Sequence, residues 1–165
     1  MLEDILKEKV SLFSDGVQTV LRGQENRRRV VALRDGNLVG NARSEERGVN
    51  ALVKKRGVKG FASYADFSEA AVESVLKSAT ENALFLDKHA PKGIKDPKAL
   101  SKGMILPKRL IADAEQKRMI EACKQIDDYV VKNCTGLISR TIYYTEDSQE
   151  KIIYSSDAAC GHVTN

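Results

Sequence analysis

Residues 28–64 read RRVVALRDGNLVGNARSEERGVNALVKKRGVKGFASY, and the fold turns on how this stretch is read. Apolar, often β-branched residues alternate with polar ones, the period that lays one face of a strand against a core. The alternation is interrupted at Asp35-Gly36 and again at Arg56-Gly57. A two-residue turn between antiparallel strands takes positive φ at both central positions, which Gly adopts freely and Asp tolerates. The spacing predicts four antiparallel strands, over 28–34, 37–44, 48–55 and 58–64. In the third, Val49, Ala51 and Val53 share one face, while Asn50 and Lys54 share the other.

Upstream, Leu2, Ile5, Leu6, Val10, Phe13, Val17, Val20 and Leu21 recur at three- and four-residue spacing and predict one amphipathic helix. Downstream, Asp66 and Glu69 form a capping-box pattern. It precedes a second helix, running to about Lys88, with Val72, Val75, Leu76, Ala79, Ala83 and Leu86 as its buried stripe. The stretch from His89 to Lys108 holds all three prolines, Pro91, Pro97 and Pro107, and reads as a surface connector. Asp113 and Gln116 repeat the cap ahead of a third helix. Met119, Ile120, Cys123, Ile126, Val130 and Cys134 would form its stripe, so both cysteines are expected as core fillers. LISRTIYY (137–144) and KIIYSS (151–156), separated by a polar break around Asp147, predict a closing hairpin. The order α-ββββ-α-α-ββ is an α+β arrangement, an antiparallel sheet with amphipathic helices packed on one face. The domain organisation expected is 1–90 (helix, four-strand meander, helix), a connector over 91–108, and 109–165 as a helix plus hairpin. That last part belongs to the same domain or opens a central region.

At 165 residues, 42% hydrophobic and 30% charged, the chain has the makings of a globular core. Its net +4 is local: +5 over residues 1–60, zero over 61–103 and −1 over 104–165. No apolar run approaches 18 residues, and Glu3, Asp4, Glu8 and Asp15 interrupt the first twenty. This argues against a spanning helix, a membrane partner and a secretory signal, and makes the cytoplasm the expected compartment. Three cysteines, Cys123, Cys134 and Cys160, fit reduced thiols better than a disulfide framework.

Catalytic chemistry is sparse. Cys160 and His162 stand one residue apart, but a zinc site needs three or four ligands, and His89 is the only other imidazole. No HExxH helix and no nucleophile elbow is present. Gly57 and Gly60 in GVKG flank a strand rather than open a helix, so they read as turn glycines. No catalytic or metal residue is therefore expected here, and a self-contained small enzyme is the weakest reading. Two basic clusters, Arg27-Arg28-Arg29 and Lys54-Lys55-Arg56, could neutralise phosphates. Without interleaved aromatic residues they read better as solvated strand ends, which weighs against nucleic acid as a partner.

Residues 43–84, RSEERGVNALVKKRGVKGFASYADFSEAAVESVLKSATENA, resemble the amino-terminal domain of the TldD/PmbA family, described also as modulators of DNA gyrase. That family carries a strand pair close to RGVGVRV, a turn and GFAST, then a helix of the kind LSxEALxxAVxxA. Here Arg47-Gly48-Val49, Gly60-Phe61-Ala62-Ser63 and Phe67-Ser68-Glu69-Ala70-Ala71 stand at those places. The chain departs in having Asn50-Ala51-Leu52-Val53 where the family has its second Arg, and Lys54-Lys55-Arg56-Gly57 for the usual Asp-Gly turn. KIIYSSDA (151–158) is similar to a later strand of the family.

The resemblance implies the amino-terminal domain of a zinc-dependent peptidase, inactive alone. The zinc is implied for a full-length TldD-type parent, whose HExxxH helix lies in a carboxy-terminal domain, and no cofactor is implied for these residues. TldD-type and PmbA-type parentage both stay open. The implied partners are a family member, in a homo- or hetero-dimer, and the peptide substrate of the full-length protein. Arg47, Gly48, Val49, Gly60, Phe61 and Ser63 are the candidate peptide or assembly strand. The alternative is a nucleic-acid-binding or gyrase-associated module that uses the basic first third.

Overall fold

Asp35 and Arg56 both take positive φ, 49° and 44°, and each precedes a glycine at 81° and 78°. Both expected turns therefore form. In the computed structural model, which describes residues 2–91, 103–105, 115–157 and 159–164, they join β1 (Gln18–Arg34), β2 (Asn37–Lys55) and β3 (Val58–Tyr64). The remaining elements are α1 (Leu2–Glu8) with a 3₁₀ turn at Lys9–Leu12, α2 (Glu69–His89), β4 (Gly103–Ile105), α3 (Gln116–Asn133), β5 (Thr141–Ser155) and β6 (Ala159–Thr164). The six strands form one sheet in the order β3-β2-β1-β5-β6-β4. β4 pairs parallel with β6, and the other pairings are antiparallel. The fold is α+β, as expected.

Several details differ from the sequence expectation. The first helix does not reach Leu21. It gives way after Leu12, the chain turns through Gly16 at φ 71°, and β1 begins at Gln18. Thr19, Leu21, Gly23 and Glu25 are buried at every second position, so period two wins where the apolar spacing fitted both periods. The expected strands 37–44 and 48–55 are one strand, β2, which leaves three strands before α2 instead of four. Gly48 lies within β2. A Cβ there would stand 2.7 Å from the Tyr64 carbonyl oxygen, so it is a close-approach glycine.

The later hairpin also moves. β5 runs unbroken through Asp147, and its turn to β6 falls at Ser156 and Asp157. Cys134 leaves the predicted stripe: it caps α3 and is exposed, whereas Cys123 is buried, which pushes its thiol pKa up. Ile126, on the same predicted stripe, is exposed. The connector contributes β4, while Pro97, Pro107 and the cap residue Asp113 lie outside the described residues.

The cap of α2 is Ser68 rather than Asp66. Ser68 Oγ accepts the Ala71 N–H at 3.2 Å and donates its own hydrogen to Asp66 Oδ2 at 2.6 Å. Asp66 thus orients the cap, and the Ser68 hydroxyl holds its carboxyl below the usual range.

Among the described residues the chain divides into two compact units. One lies within Met1–Glu25, Glu46–Arg109 and Gln149–Thr164, and the other within Asn26–Glu45 and Leu110–Ser148. In the first, α2 lays Val72, Val75, Leu76, Ala79 and Ala83 against Val49, Ala51 and Val53 of β2, with Leu6, Leu21, Phe67 and Ile152 completing the core. Gly60 lets α2 settle on β3, since a Cβ there would meet the Ala79 carbonyl oxygen at 2.1 Å. Lys9 ties the 3₁₀ turn to α2 through Glu69 at 2.9 Å and Glu73 at 2.7 Å, and these carboxylates hold its ammonium pKa above the ordinary value.

The second unit closes on a smaller core, in which Val31 and Leu33 meet Met119 and Cys123. Its polar anchor is Arg140, which donates to both carboxylate oxygens of Asp127 at 2.6 and 2.9 Å. The Arg140 N–H donates to Asp35 Oδ1 at 2.9 Å, and the Asp35 N–H returns a bond to the Arg140 carbonyl at 3.0 Å, so the first turn is pinned to the start of β5.

Candidate peptide-pairing edge

β3 is the last strand of the sheet on its side. Its register on β2 follows from the two-residue turn: Lys55 faces Val58, Lys54 faces Lys59, Val53 faces Gly60, Leu52 faces Phe61, Ala51 faces Ala62 and Asn50 faces Ser63. In such a hairpin the pair that closes the turn is hydrogen-bonded, and the ladder alternates from there. Val58, Gly60 and Ala62 accordingly spend their main-chain groups on β2. Lys59, Phe61 and Ser63 direct theirs away from it. One outward group is occupied: Asn82 Nδ2 of α2 donates to the Phe61 carbonyl oxygen at 3.1 Å.

The same alternation sorts the side chains. Val53, Gly60 and Ala51 lie under α2 in the core. The opposite face carries Lys54 and Lys59, Leu52 and Phe61, Asn50 and Ser63 as three cross-strand pairs. Phe61 is 54% exposed there. Of the candidate strand residues, then, Phe61 and Ser63 sit at the accessible edge, Val49 and Gly60 are buried, and Arg47 and Gly48 lie on β2 beyond the paired segment.

The two basic clusters fall in different units. Arg27, Arg28 and Arg29 lie on β1 in the second unit, where Arg28 stands 3.8 Å from Asp147. Lys54, Lys55 and Arg56 lie at the β2–β3 turn in the first. Arg56 donates to Asp87 at 2.6 Å, and Lys55 stands 3.9 Å from the same carboxylate. The Arg56 guanidinium, with Lys55 behind it, holds the Asp87 carboxyl below the usual range. Sequence reading missed Asp87 and Asn82, because only the seating of α2 brings them to the hairpin. It also missed Lys59, although counting back from Arg56-Gly57 would have paired it with Lys54.

The described residues do not fit a metal site. No three of their His, Cys, Asp and Glu side chains converge on one point. His162 has Glu150 at 2.7 Å from Nε2 and Glu3 at 3.4 Å from Nδ1, one carboxylate on each side of the ring. A groove of about 480 Å³ lies along α2, lined by Leu12, Leu76 and Lys77 among others, and none of the candidate residues reaches it. Among the described residues no helix is long and apolar enough to cross a membrane.

A mainly antiparallel sheet carrying helices against its core defines a class of α+β domain. Residues 20–83 match the family model described as PmbA/TldA metallopeptidase domain 1. Over that stretch the chain is similar to the amino-terminal domain of the TldD/PmbA family. Among solved structures it is similar to a proposed modulator of a DNA gyrase from Thermotoga maritima, at TM-score 0.74 and 16% identity over 99% of this chain and 37% of that one. A proposed modulator of DNA gyrase from Bacteroides thetaiotaomicron matches at 0.65 and 15%, over 99% of this chain and 38% of that one. TldE from Thermococcus kodakarensis matches at 0.63 and 13%, over 100% and 36%. The chain thus spans little more than a third of each of these proteins. No curated protein matches it.

Proposed function

We propose that this chain is the non-catalytic amino-terminal domain of a TldD/PmbA-type zinc-dependent peptidase, a modulator of DNA gyrase, acting in the cytoplasm and contributing to a dimer and to a cleft for an extended peptide. The observation that carries this reading is the β3 edge, where Lys59, Phe61 and Ser63 turn their main-chain donors and acceptors away from β2. An extended peptide adds to such an edge through main-chain bonds, and pockets for alternate side chains select it. The family description, metallopeptidase domain 1, supports bond cleavage by the parent. In this reading the cleaving group lies in another part of that parent, in keeping with the described residues, which supply no donor set for zinc.

Amide-shift mapping with blocked, unfolded hexapeptides tests the peptide reading. The amides of Lys59, Phe61 and Ser63 are expected to move, and movement confined to α2 and α3 would overturn it. Sedimentation equilibrium, alone and with a co-expressed family member, tests assembly: a monomer under both conditions removes that part.

A further inference from the structure

We infer that the β3 edge selects an extended segment in which an apolar residue is followed, two positions later, by Asp or Glu. This rests on the reading of β3 as a peptide-pairing edge, and it adds the chemistry of the occupant.

Lys54 and Lys59 face each other directly on the side of the hairpin away from α2. Theirs is a non-hydrogen-bonded pair, the kind that brings opposed Cα atoms to about 4.5 Å and the side chains closest together. Like charges so placed destabilise a sheet. At the turn of this hairpin the cations do have a carboxylate beside them: Asp87 stands against both Arg56 and Lys55. Among the described residues no carboxylate stands within ion-pair distance of Lys54 or Lys59. The next outward-facing residue along β3 is Phe61, more than half exposed beside Leu52.

A strand adding antiparallel to β3 would exchange main-chain bonds with Phe61, so its residue opposite Phe61 shares that face. The residue two positions further toward its carboxy terminus lies opposite Lys59. Apolar contact at the first place and a carboxylate at the second would cover Phe61 and relieve the lysine pair. The incoming N–H must also replace Asn82 at the Phe61 carbonyl. Asn82 therefore acts as a cap that covers the edge of the free chain, as side chains blunt other exposed edges.

The test is titration of the ¹⁵N-labelled chain with the blocked hexapeptide Thr-Val-Thr-Glu-Thr-Thr, its Glu-to-Lys counterpart, a version N-methylated at Val, and a single-stranded dT oligonucleotide of similar charge. The Glu peptide is expected to shift the amides of Lys59, Phe61 and Ser63 and to bind about fivefold to tenfold more tightly than the Lys peptide. N-methylation should abolish the shifts. The double change Lys54→Glu with Lys59→Glu should invert the preference, and Asn82→Ala should tighten binding of the Glu peptide. Equal affinity of the Glu and Lys peptides at β3 overturns this inference while leaving the peptide-pairing edge standing. No β3 shift with any peptide overturns both. Binding of the oligonucleotide at Lys54 and Lys59 with no peptide response assigns the pair to phosphate and overturns it as well.

Discussion

Gly60 shows how much one missing methyl group decides. Its Cα sits so close to α2 that a Cβ would stand 2.1 Å from the Ala79 carbonyl oxygen and 2.3 Å from the Ala83 amide nitrogen. Both are backbone atoms of a helix, so no side-chain rotation can make room. Gly60→Ala is therefore expected to cost about 3 kcal/mol or more by overpacking, read as a lowered urea midpoint. Gly48→Ala, with its tightest contact at 2.7 Å to the Tyr64 carbonyl, should cost less. An unchanged midpoint for Gly60→Ala would mean that α2 does not rest on β3. The charged residues make a separate prediction. Asp127 is held down by Arg140 and Asp87 by Arg56, so both carboxyls have lower pKa values folded than unfolded. A depressed folded pKa gives stability that is complete above the unfolded value of about 3.9 and is lost as pH falls through the folded value. The urea midpoint should stay level from neutrality to about pH 5 and fall below about pH 4. Asp127→Asn should lower the plateau and shallow the acid fall, and an acid limb identical to that of the parent chain would remove Asp127 from the account.

At the scale of elements, α2 depends on a cap that the capping-box spacing placed two residues early. Ser68 satisfies the Ala71 N–H while Asp66 fixes the hydroxyl. Ser68→Ala should cost about 1 kcal/mol and speed amide exchange in the first turn of α2, with Asp66→Ala costing less. Exchange unchanged at Ala71 would contradict the cap. The α2 stripe, the two tight turns and the β2–β3 hairpin were legible because each rests on local chemistry: helical spacing, or glycine at positive φ. The end of α1 was not legible, since Val17, Val20 and Leu21 satisfy helical spacing as well as alternation, and only the covering of Leu21 and Gly23 by Leu6 and Phe67 selects the strand. β2 was divided for a similar reason. The polar run around Arg43 to Arg47 reads as a turn, yet no residue there adopts positive φ and the strand continues. The site was legible in half. Phe61 and Ser63 were named from the sequence, whereas Asn82 and Asp87 reach the hairpin only through the docking of a helix whose seat depends on Gly60.

At the scale of the molecule, the described residues form two unequal cores. The first buries thirteen residues from α1, β1, β2, β5, α2 and the segment before it, while the second rests on Val31, Leu33, Met119 and Cys123. Hydrophobic stabilisation scales with the apolar area removed from water, at roughly 25 cal/mol per Å². The smaller core therefore has less to oppose the entropy of ordering α3, whose middle also exposes Ile126 and Tyr129. What holds this unit beyond packing is the Arg140 fork on Asp127 and the two hydrogen bonds between Asp35 and Arg140. Local opening free energies follow such differences and are read by native-state hydrogen exchange. The amides of α3 are expected to exchange through openings smaller than global unfolding, while those of α2 and of β2 near Val49 to Val53 exchange only with the global transition. Met119→Ala, which removes most of a fully buried side chain from the small core, should cost about 2–5 kcal/mol and lower protection across α3 first. Val72→Ala should lower protection in α2 instead. Equal protection in α2 and α3, falling together in both variants, would make the chain one cooperative unit and refute the division.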